Sequence, residues 1–471
     1  MKVSLYNTMG RNIQEFKPIK ENKVGFYACG PTVYNYAHIG NLRTFIFEDI
    51  LKRELTHAGY NVNHVMNITD VGHLTGDGDD GDDKMTKTAK ETGKSVWEIA
   101  DFYTKAFKKD FHDLNMIDPA VWCKATDHID DMIKLIQRIE EKGYTYQAGG
   151  NVYFSIDKLP DYGKLAGLKM DDLQIAVRDD VTLDLNKKNP KDFVLWFTKS
   201  KFGEQQMMWD SPWGRGYPGW HIECSAMSMK YLGESFDIHA GGIDAIPVHH
   251  TNEIAQSEAA TGHKWVNYWL HGEFLLNETG KMSKSEGEFL TLQLLINKGY
   301  NPMDYRYFVL GGHFRSQLRF SFKNLDTARK NRLTIVSRIQ DLLDNDAKNV
   351  GITSDLVKGF ANNFDEVCAN NLNMPMALAE LWKTLKSDQL TDSEKYSLVL
   401  YYDEVLGLRF DEIAEREKEK IDDDALVLLK ERTKAKKERN FVKADEIRDE
   451  LDKLGYIVKD TPQGAILSKK L

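Results

Sequence analysis

Residues 23–68 read as strand, helix, strand. Lys23-Val-Gly-Phe-Tyr-Ala28 is apolar and aromatic, Cys29-Gly30-Pro31 breaks the run, a helix-like segment spans 42–60, and Val62 to Ile68 forms a second apolar run. Two buried strands joined by a helical crossover pair in parallel and need cover on both faces, so the predicted fold class is α/β with a doubly wound parallel sheet. Phe236–His239 and Trp269–Leu276 alternate with helical stretches and are read as further strands of that sheet. Tyr144 to Phe197 carries hairpin-like runs, Asn151–Ser155 and Phe193–Phe197, between loops rich in Asp, Asn and Lys, and is read as a connective subdomain inserted over about 119–203. Beyond Phe322 the pattern turns helical, with no glycine between Gly359 and Gly407. The expected organisation is a sheet domain over 1–322, an α-helical bundle over 323–410 and a small C-terminal α+β unit over 411–471.

Composition limits what such a chain does. At roughly 150 residues per domain, 471 residues fit about three domains. Lys and Arg total 63 against 72 Asp and Glu, and the net charge of −9 excludes a protein that coats nucleic acid through overall charge while leaving room for a local basic face. No apolar run reaches membrane-spanning length, and Met1 to Gln14 lacks the basic and apolar segments of a secretory signal, so no membrane association and a cytoplasmic location are expected. Four cysteines (Cys29, Cys123, Cys224 and Cys368) are too few and too scattered for a disulfide framework, which leaves metal, thiol or packing roles. The acidic run Asp77 to Asp83 fails the calcium-loop pattern, because Gly81 and Thr88 stand where ligands are required, and it is read as a surface loop.

Three constellations carry chemistry. His38-Ile39-Gly40-Asn41 follows the first strand, where a glycine-bearing turn into a helix presents backbone amides to an anion and His38 and Asn41 add side-chain donors. Lys281-Met-Ser-Lys284-Ser285 places two lysines three apart in a glycine-flanked loop, able to neutralise charge on a triphosphate. His249 and Glu253, four apart, share one face of a helix, and with Cys29 and Cys224 they make a mixed donor set for a tetrahedral metal, although the spacing alone is weak and either cysteine could simply pack.

The first two motifs together resemble the paired signatures of class I aminoacyl-tRNA synthetases, with Asn41 where a second histidine is common. The segments around Cys29, Pro218–Met227 and Val248–Ser257 are similar to cysteinyl-tRNA synthetases, and the resemblance extends along most of the chain. It implies a Rossmann-like catalytic domain and one Zn2+ per chain on Cys29, Cys224, His249 and Glu253, with His250 pointing elsewhere. By the same resemblance, Gly30, Thr69, Trp220 and His239 contact the substrate cysteine. Gly241, Gly242 and Asp244 meet adenosine, so that ATP is held by His38, Gly40, Asn41, Gly241, Asp244 and Lys284, with His38, Lys281 and Lys284 as the catalytic groups. Mg2+ is expected with the triphosphate. Two segments, Asp70-Val-Gly-His73 and Asn370-Asn-Leu-Asn-Met-Pro-Met376, depart from the acidic pattern usual in the family.

The resemblance implies a cysteine–tRNA ligase: cysteine and ATP give cysteinyl-adenylate, and the cysteinyl group passes to the 3′ end of tRNA(Cys). Zinc has a physical reason there. An apolar pocket separates near-isosteres by only about 1–3 kcal/mol, whereas a soft metal takes cysteine as thiolate and leaves the protonated serine hydroxyl a poor competitor. At the other end of the chain, Arg432 to Lys443 holds six basic residues and one acidic, a local +5, and resembles the family's anticodon-binding unit, with Phe441 or Tyr456 placed to stack on a base. That unit argues against the related mycothiol-pathway ligase, whose acceptor is an amino sugar, and the intact His38, Lys281 and Lys284 argue against a non-catalytic binding paralogue. A monomer is expected from the resemblance.

Overall fold

The computed structural model describes residues 1–72, 88–89, 93–167, 184–199, 206–277, 280–281, 289–413, 423–461 and 464–469. Five strands form the main sheet: β1 (Lys23–Ala28), β2 (Asn61–Ile68), β3 (Val121–Lys124), β4 (Phe236–Gly242) and β5 (Val266–Gly272). All neighbours are parallel, in the spatial order β5-β4-β1-β2-β3. This is the doubly wound order read from one edge, and the chain reverses direction across the sheet between β1 and β4. The helices α1 (Ile39–His57), α2 (Val96–Asp113), α3 (Ile129–Glu141), α4 (Trp220–Leu232) and α5 (Thr251–Thr261) belong to the same unit.

The first crossover forms where the apolar pattern placed it, and β1 has the expected limits. Three differences are instructive. Val121–Lys124, expected inside the insertion, is the edge strand β3 and pairs with β2; four residues are too few to show which sheet they join. The inserted antiparallel sheet instead runs Thr145–Ala148, Asn151–Phe154, Phe193–Phe197 and Tyr217–Pro218. The single run Trp269–Leu276 divides into β5 and a short strand Leu275–Asn277 of a separate sheet. At the break Glu273 N donates to Phe314 O, 2.8 Å, turning the chain away.

The chain separates into two compact units, Met1–Ala328 with Asn363–Ala379, and Arg329–Asn362 with Glu380–Leu471. The helical stretch expected as one bundle is therefore shared. In the first unit Asn371 N donates to Ser4 O (2.8 Å), Tyr6 N donates to Asn371 Oδ1 (2.8 Å), and His313 Nε2 lies 3.0 Å from Asn371 O. These bonds fix Asn371 onto the N-terminal strand Ser4–Asn7. In the second unit, the helices Asp423–Lys437 and Phe441–Lys453 precede an antiparallel pair, Tyr456–Thr461 with Gly464–Lys469. Ala425, Ile447, Leu451, Tyr456, Val458 and Leu467 form its small core.

Helix α1 carries two kinds of buried acid. Asp49 accepts from Arg53 Nε (2.8 Å), Arg306 Nη2 (2.6 Å) and Ile117 N (2.8 Å). Against the cost of burial, Arg53 and Arg306 hold its carboxyl below the ordinary value. Glu54, one turn on, has no hydrogen-bond partner for either carboxyl oxygen. Burial, offset by His57 and reinforced by Asp365, pushes its pKa up to about 8. The unfolded chain ionises it near 4.5, so between those two values unfolding releases a proton and stability falls as pH rises, by at most about 1.4 kcal/mol per unit. Glu54→Gln is expected to flatten that stretch of the profile. The check is the urea midpoint at pH 5 and at pH 8; a difference as large as in the parent would mean that Glu54 does not keep its proton in the fold.

Candidate metal centre and nucleotide site

Where an open α/β sheet reverses its strand order, the crevice at the strand C-termini receives ligands. Here that place lies at the ends of β1 and β4. His239 pairs with Tyr27 and Ala240 with Ala28, and Cys29 N donates to Ala240 O, 3.1 Å, so the first residue beyond β1 is held against β4. Gly30 follows, its N–H on Asn67 Oδ1 at 2.7 Å. A Cβ on Gly30 would overlap the Asn67 carbonyl oxygen, so only glycine fits between the two strand ends.

Cys29 is joined there by Cys224 of α4, Glu253 of α5 and His249. One donor atom from each lies within 4.8 Å of the others. His249 sits in a π-type turn, Ile246–His250, that leads into α5. Such a turn rotates less per residue than an α-helix, so neighbouring side chains diverge less, and π-turns recur at functional sites. The consequence is that His250, expected to point elsewhere, also faces the centre, with Nε2 3.2 Å from Cys29 Sγ. A second group of four, Cys29, His239, His250 and Glu253, is therefore within the same reach.

Tautomers separate the two groups. His239 Nδ1 is buried without a partner, while its Nε2 lies 2.7 Å from Glu253 Oε2. A proton on Nε2, donated to the carboxylate, is the form that leaves no buried N–H unpaired, and that nitrogen is then no metal ligand. His249 differs, because its Nδ1 is 2.9 Å from His221 Nδ1, the outer hydrogen bond that leaves Nε2 to a metal. Glu253 Oε1 lies 2.9 Å from His249 Nε2 yet is a buried oxygen with no directed hydrogen bond, as for two donors aimed at a common third point. Two sulfurs, one imidazole and one carboxylate suit a borderline-soft, tetrahedral dication, so the donor set Cys29, Cys224, His249 and Glu253 fits a metal.

The electrostatics agree. Against burial, His239 and His249 hold Glu253 down to about 2. Hydrogen bonding from Cys29, outweighing burial, pulls Cys224 down to about 7, while the same bond and burial raise Cys29. Burial opposes a charge on His249, but Glu253 and Cys224 raise it well above its ordinary value. Behind the ligands, His250 Nδ1 lies 2.8 Å from His271 Nε2, whose Nδ1 lies 2.8 Å from Thr8 Oγ1. Burial, with the other imidazoles, drives His250 well down, and His271 falls to about 3. Neither His271 nor His221 was picked out from the sequence. The only signal for His271 is its place two residues after Trp269, which puts both on one face of β5.

The remaining residues fall around this centre. The Trp220 ring lies against His249, centroids 4.6 Å apart. Thr69 is buried, donating to Glu223 Oε2 at 3.1 Å and accepting from Asn67 Nδ2 at 3.0 Å. A Cβ on Gly241 would lie 3.0 Å from His250 Cε1, so the glycine makes room for that ring. Asp244 lies in a 3-10 turn just past β4. His38 is the N-cap of α1, its Nδ1 accepting from Asn41 N at 3.1 Å, and a Cβ on Gly40 would lie 2.9 Å from its ring. In the neutral ring this cap leaves the proton on Nε2. Lys281 lies on a short strand paired with Leu276. Lys284 and Asp77–Asp83 fall outside the described residues. Beyond Lys284, Ile39 N donates to Leu290 O at 2.8 Å and His38 bridges Thr291. The chain thus returns to the start of α1.

Comparison with known proteins places this geometry. Residues 15–330 match the family of tRNA synthetases class I (C) catalytic domain, and residues 418–465 match the cysteinyl-tRNA ligase anticodon binding domain. The fold agrees: the methionyl-tRNA synthetase of Mycobacterium tuberculosis, solved with methionyl-adenylate, superposes with a TM-score of 0.56 at 16% identity, covering 82% of this chain and 90% of that one. Fold and site define a class I aminoacyl-tRNA synthetase. The cysteine–tRNA ligase of Treponema denticola is 51% identical, with 98% of each chain covered. That of Borrelia garinii subsp. bavariensis is 45% identical over 98% of this chain and 99% of its own, and cysteine–tRNA ligase 1 of Burkholderia lata is 46% identical over 98% and 96%. The chain belongs to the cysteine–tRNA ligase family.

The two donor groups make a testable contrast. Cys224 belongs only to the first and His250 only to the second. Cys224→Ser is expected to purify with well under half the metal of the parent by elemental analysis, and His250→Ala to retain most of it. The reverse ranking would put the ion in the second group.

Proposed function

We propose that this chain activates cysteine with ATP and transfers it to the 3′ end of tRNA(Cys), with zinc on Cys29, Cys224, His249 and Glu253. The observation that carries the reading is the convergence of two cysteines, a histidine and a glutamate at the strand-order reversal of a parallel sheet, whose strand β1 leads on to the helix that His38 caps. Zinc would supply a soft acid that favours a thiolate over the hydroxyl of serine. Trp220, against His249, walls the side chain. Gly30, which lets the ends of β1 and β2 approach closely, and Thr69 beside it meet the amino acid backbone. Among the described residues no helix is long and apolar enough to cross a membrane.

The cysteine carboxylate attacks the α-phosphorus of ATP; an O–P bond forms and pyrophosphate leaves, giving cysteinyl-adenylate. His38 donates from Nε2 to the phosphate oxygens on which charge grows. Gly40 and Gly241 admit the nucleotide to the backbone, Asn41 adds a donor, and Asp244 accepts from ribose hydroxyls. Lys281 and Lys284 neutralise the triphosphate, which carries Mg2+. A ribose hydroxyl of the terminal tRNA adenosine then attacks the cysteinyl carbonyl and AMP leaves. Orientation and electrostatics suffice, with no covalent enzyme intermediate. Every group comes from one chain, in keeping with a monomer.

In the C-terminal unit Arg432 makes a two-point pair with Asp460 (2.9 and 3.0 Å) and Lys436 joins it at 2.8 Å. With Lys434 4.0 Å from Glu438, three of the six basic residues are occupied within the unit. Tyr456 is 3% exposed and belongs to the core, whereas Phe441 is 60% exposed. Phe441, not Tyr456, is the ring a base can stack on.

Labelled cysteine with ATP and either total tRNA or an amino sugar tests the reading: tRNA is expected to carry the label, and an amino sugar labelled instead would reject it. Lys284→Ala is expected to slow cysteine-dependent ATP–pyrophosphate exchange about 10²–10³-fold. An unchanged rate would remove Lys284 from the mechanism. Phe441→Ala is expected to raise KM for tRNA about tenfold, with exchange in the absence of tRNA unchanged.

A further inference from the structure

Among the described residues of the first unit, three large aromatic side chains are exposed, two of them on α2. Tyr36, Trp97 and Phe102 are 40%, 51% and 43% exposed. Tyr36 meets Phe102 and Tyr103 edge to face at 6.0 and 5.1 Å, and Phe102 meets Tyr103 likewise at 5.1 Å. Trp97, on the first turn of α2, stands edge to face with Trp209 at 6.5 Å. Tyr36, Phe102 and Tyr103 thus form one cluster and Trp97 with Trp209 a second, both carried on α2. Tyr36 is two residues before His38, so their Cα atoms are at most about 7–8 Å apart.

Exposure of three such rings on one helix and the loop packed against it is costly for a surface with no partner. Upright, mutually braced aromatic faces beside a cation are the features that hold single-stranded nucleic acid, because every base has a face to stack and every nucleotide a phosphate to neutralise. The cation is Lys94, whose Nζ lies 4.9 Å over the Phe102 ring. The acids on this face are already engaged, Glu98 in the capping box of α2 and Asp101 with Lys105 at 2.7 Å. A protein-binding patch of this size would be expected to mix aliphatic with aromatic anchors, and no exposed large aliphatic side chain stands in this ring contact set.

We propose that Tyr36, Phe102 and Trp97, with Lys94, form the platform on which the unpaired 3′ nucleotides of tRNA stack as the terminal adenosine enters the site beside His38. The proposal rests on the tRNA-charging reading above and adds to it the surface that delivers the acceptor end. Bases lie on the rings, Lys94 meets the backbone phosphate between them, and the last nucleotide continues past Tyr36 toward the start of α1.

The test uses the full chain with Trp97→Ala and Phe102→Ala, singly and together. Each is expected to lower kcat/KM for tRNA in aminoacylation about tenfold, through KM, while cysteine-dependent ATP–pyrophosphate exchange without tRNA stays at the parent rate. Phe102→Tyr is expected to restore charging, which a folding defect would not predict. A tRNA stripped of its unpaired 3′ nucleotides, used as a competitive inhibitor, is expected to bind parent and double variant equally. The proposal is overturned if the double variant charges tRNA within twofold of the parent, which would leave the patch to a protein partner, or if the stripped tRNA loses affinity for the variant as the intact one does. A parent chain that exchanges pyrophosphate but never charges tRNA would instead overturn the tRNA-charging reading.

Discussion

The parallel pairing of β1 with β4 is what the catalytic unit is built around. These strands are more than two hundred residues apart in sequence, yet Cys29 N donates to Ala240 O and the register runs Ile238 with Phe26, His239 with Tyr27 and Ala240 with Ala28. Everything chemical is hung from that seam. Cys29 leaves it at one end, His239 sits on it, and the turn after β4 swings His249 and His250 back over it. A slip of one residue would turn His239 to the other face of the sheet and take its Nε2 from Glu253.

Around the seam the protein gathers an unusual amount of buried polarity, and each piece has a physical role. Glu253 is paired by His239 and His249, Asp49 by two arginines, and the imidazoles of His250 and His271 pass a line of hydrogen bonds to Thr8. Buried rings that stay neutral spare the cost of an unmatched charge and can fix one another's tautomers. The orientation of the ligand set is thus held by hydrogen-bonded groups outside the set itself, His239, His250, His271 and Thr8 among them.

How much of this was legible in the sequence depended on length scale. The crossover from β1 to β2 showed in its apolar pattern because both strands are buried on both faces. The strand β3 did not, since four residues carry no period, nor did the break after Gly272, which is set by a bond to Phe314 from elsewhere in the chain. The ligand residues were found by resemblance and not by spacing, because their sequence separations carry no regular period. His250 was misjudged because an α-helical rotation was assumed where the backbone makes a π-type turn. His221 has no sequence signal of its own and His271 only its alternation with Trp269: a histidine on an apolar strand or helix looks the same whether it packs or orients a ligand.

The strand carrying Lys281 is paired with Leu276, and Leu290 is bonded to Ile39 at the start of α1. Both residues take their position from backbone hydrogen bonds, which a change of side chain does not remove directly. The start of α1, where His38 caps the helix, is in this way tied to a distant stretch of the chain, and either side chain at the Ile39–Leu290 contact is free to vary so long as that backbone bond is kept.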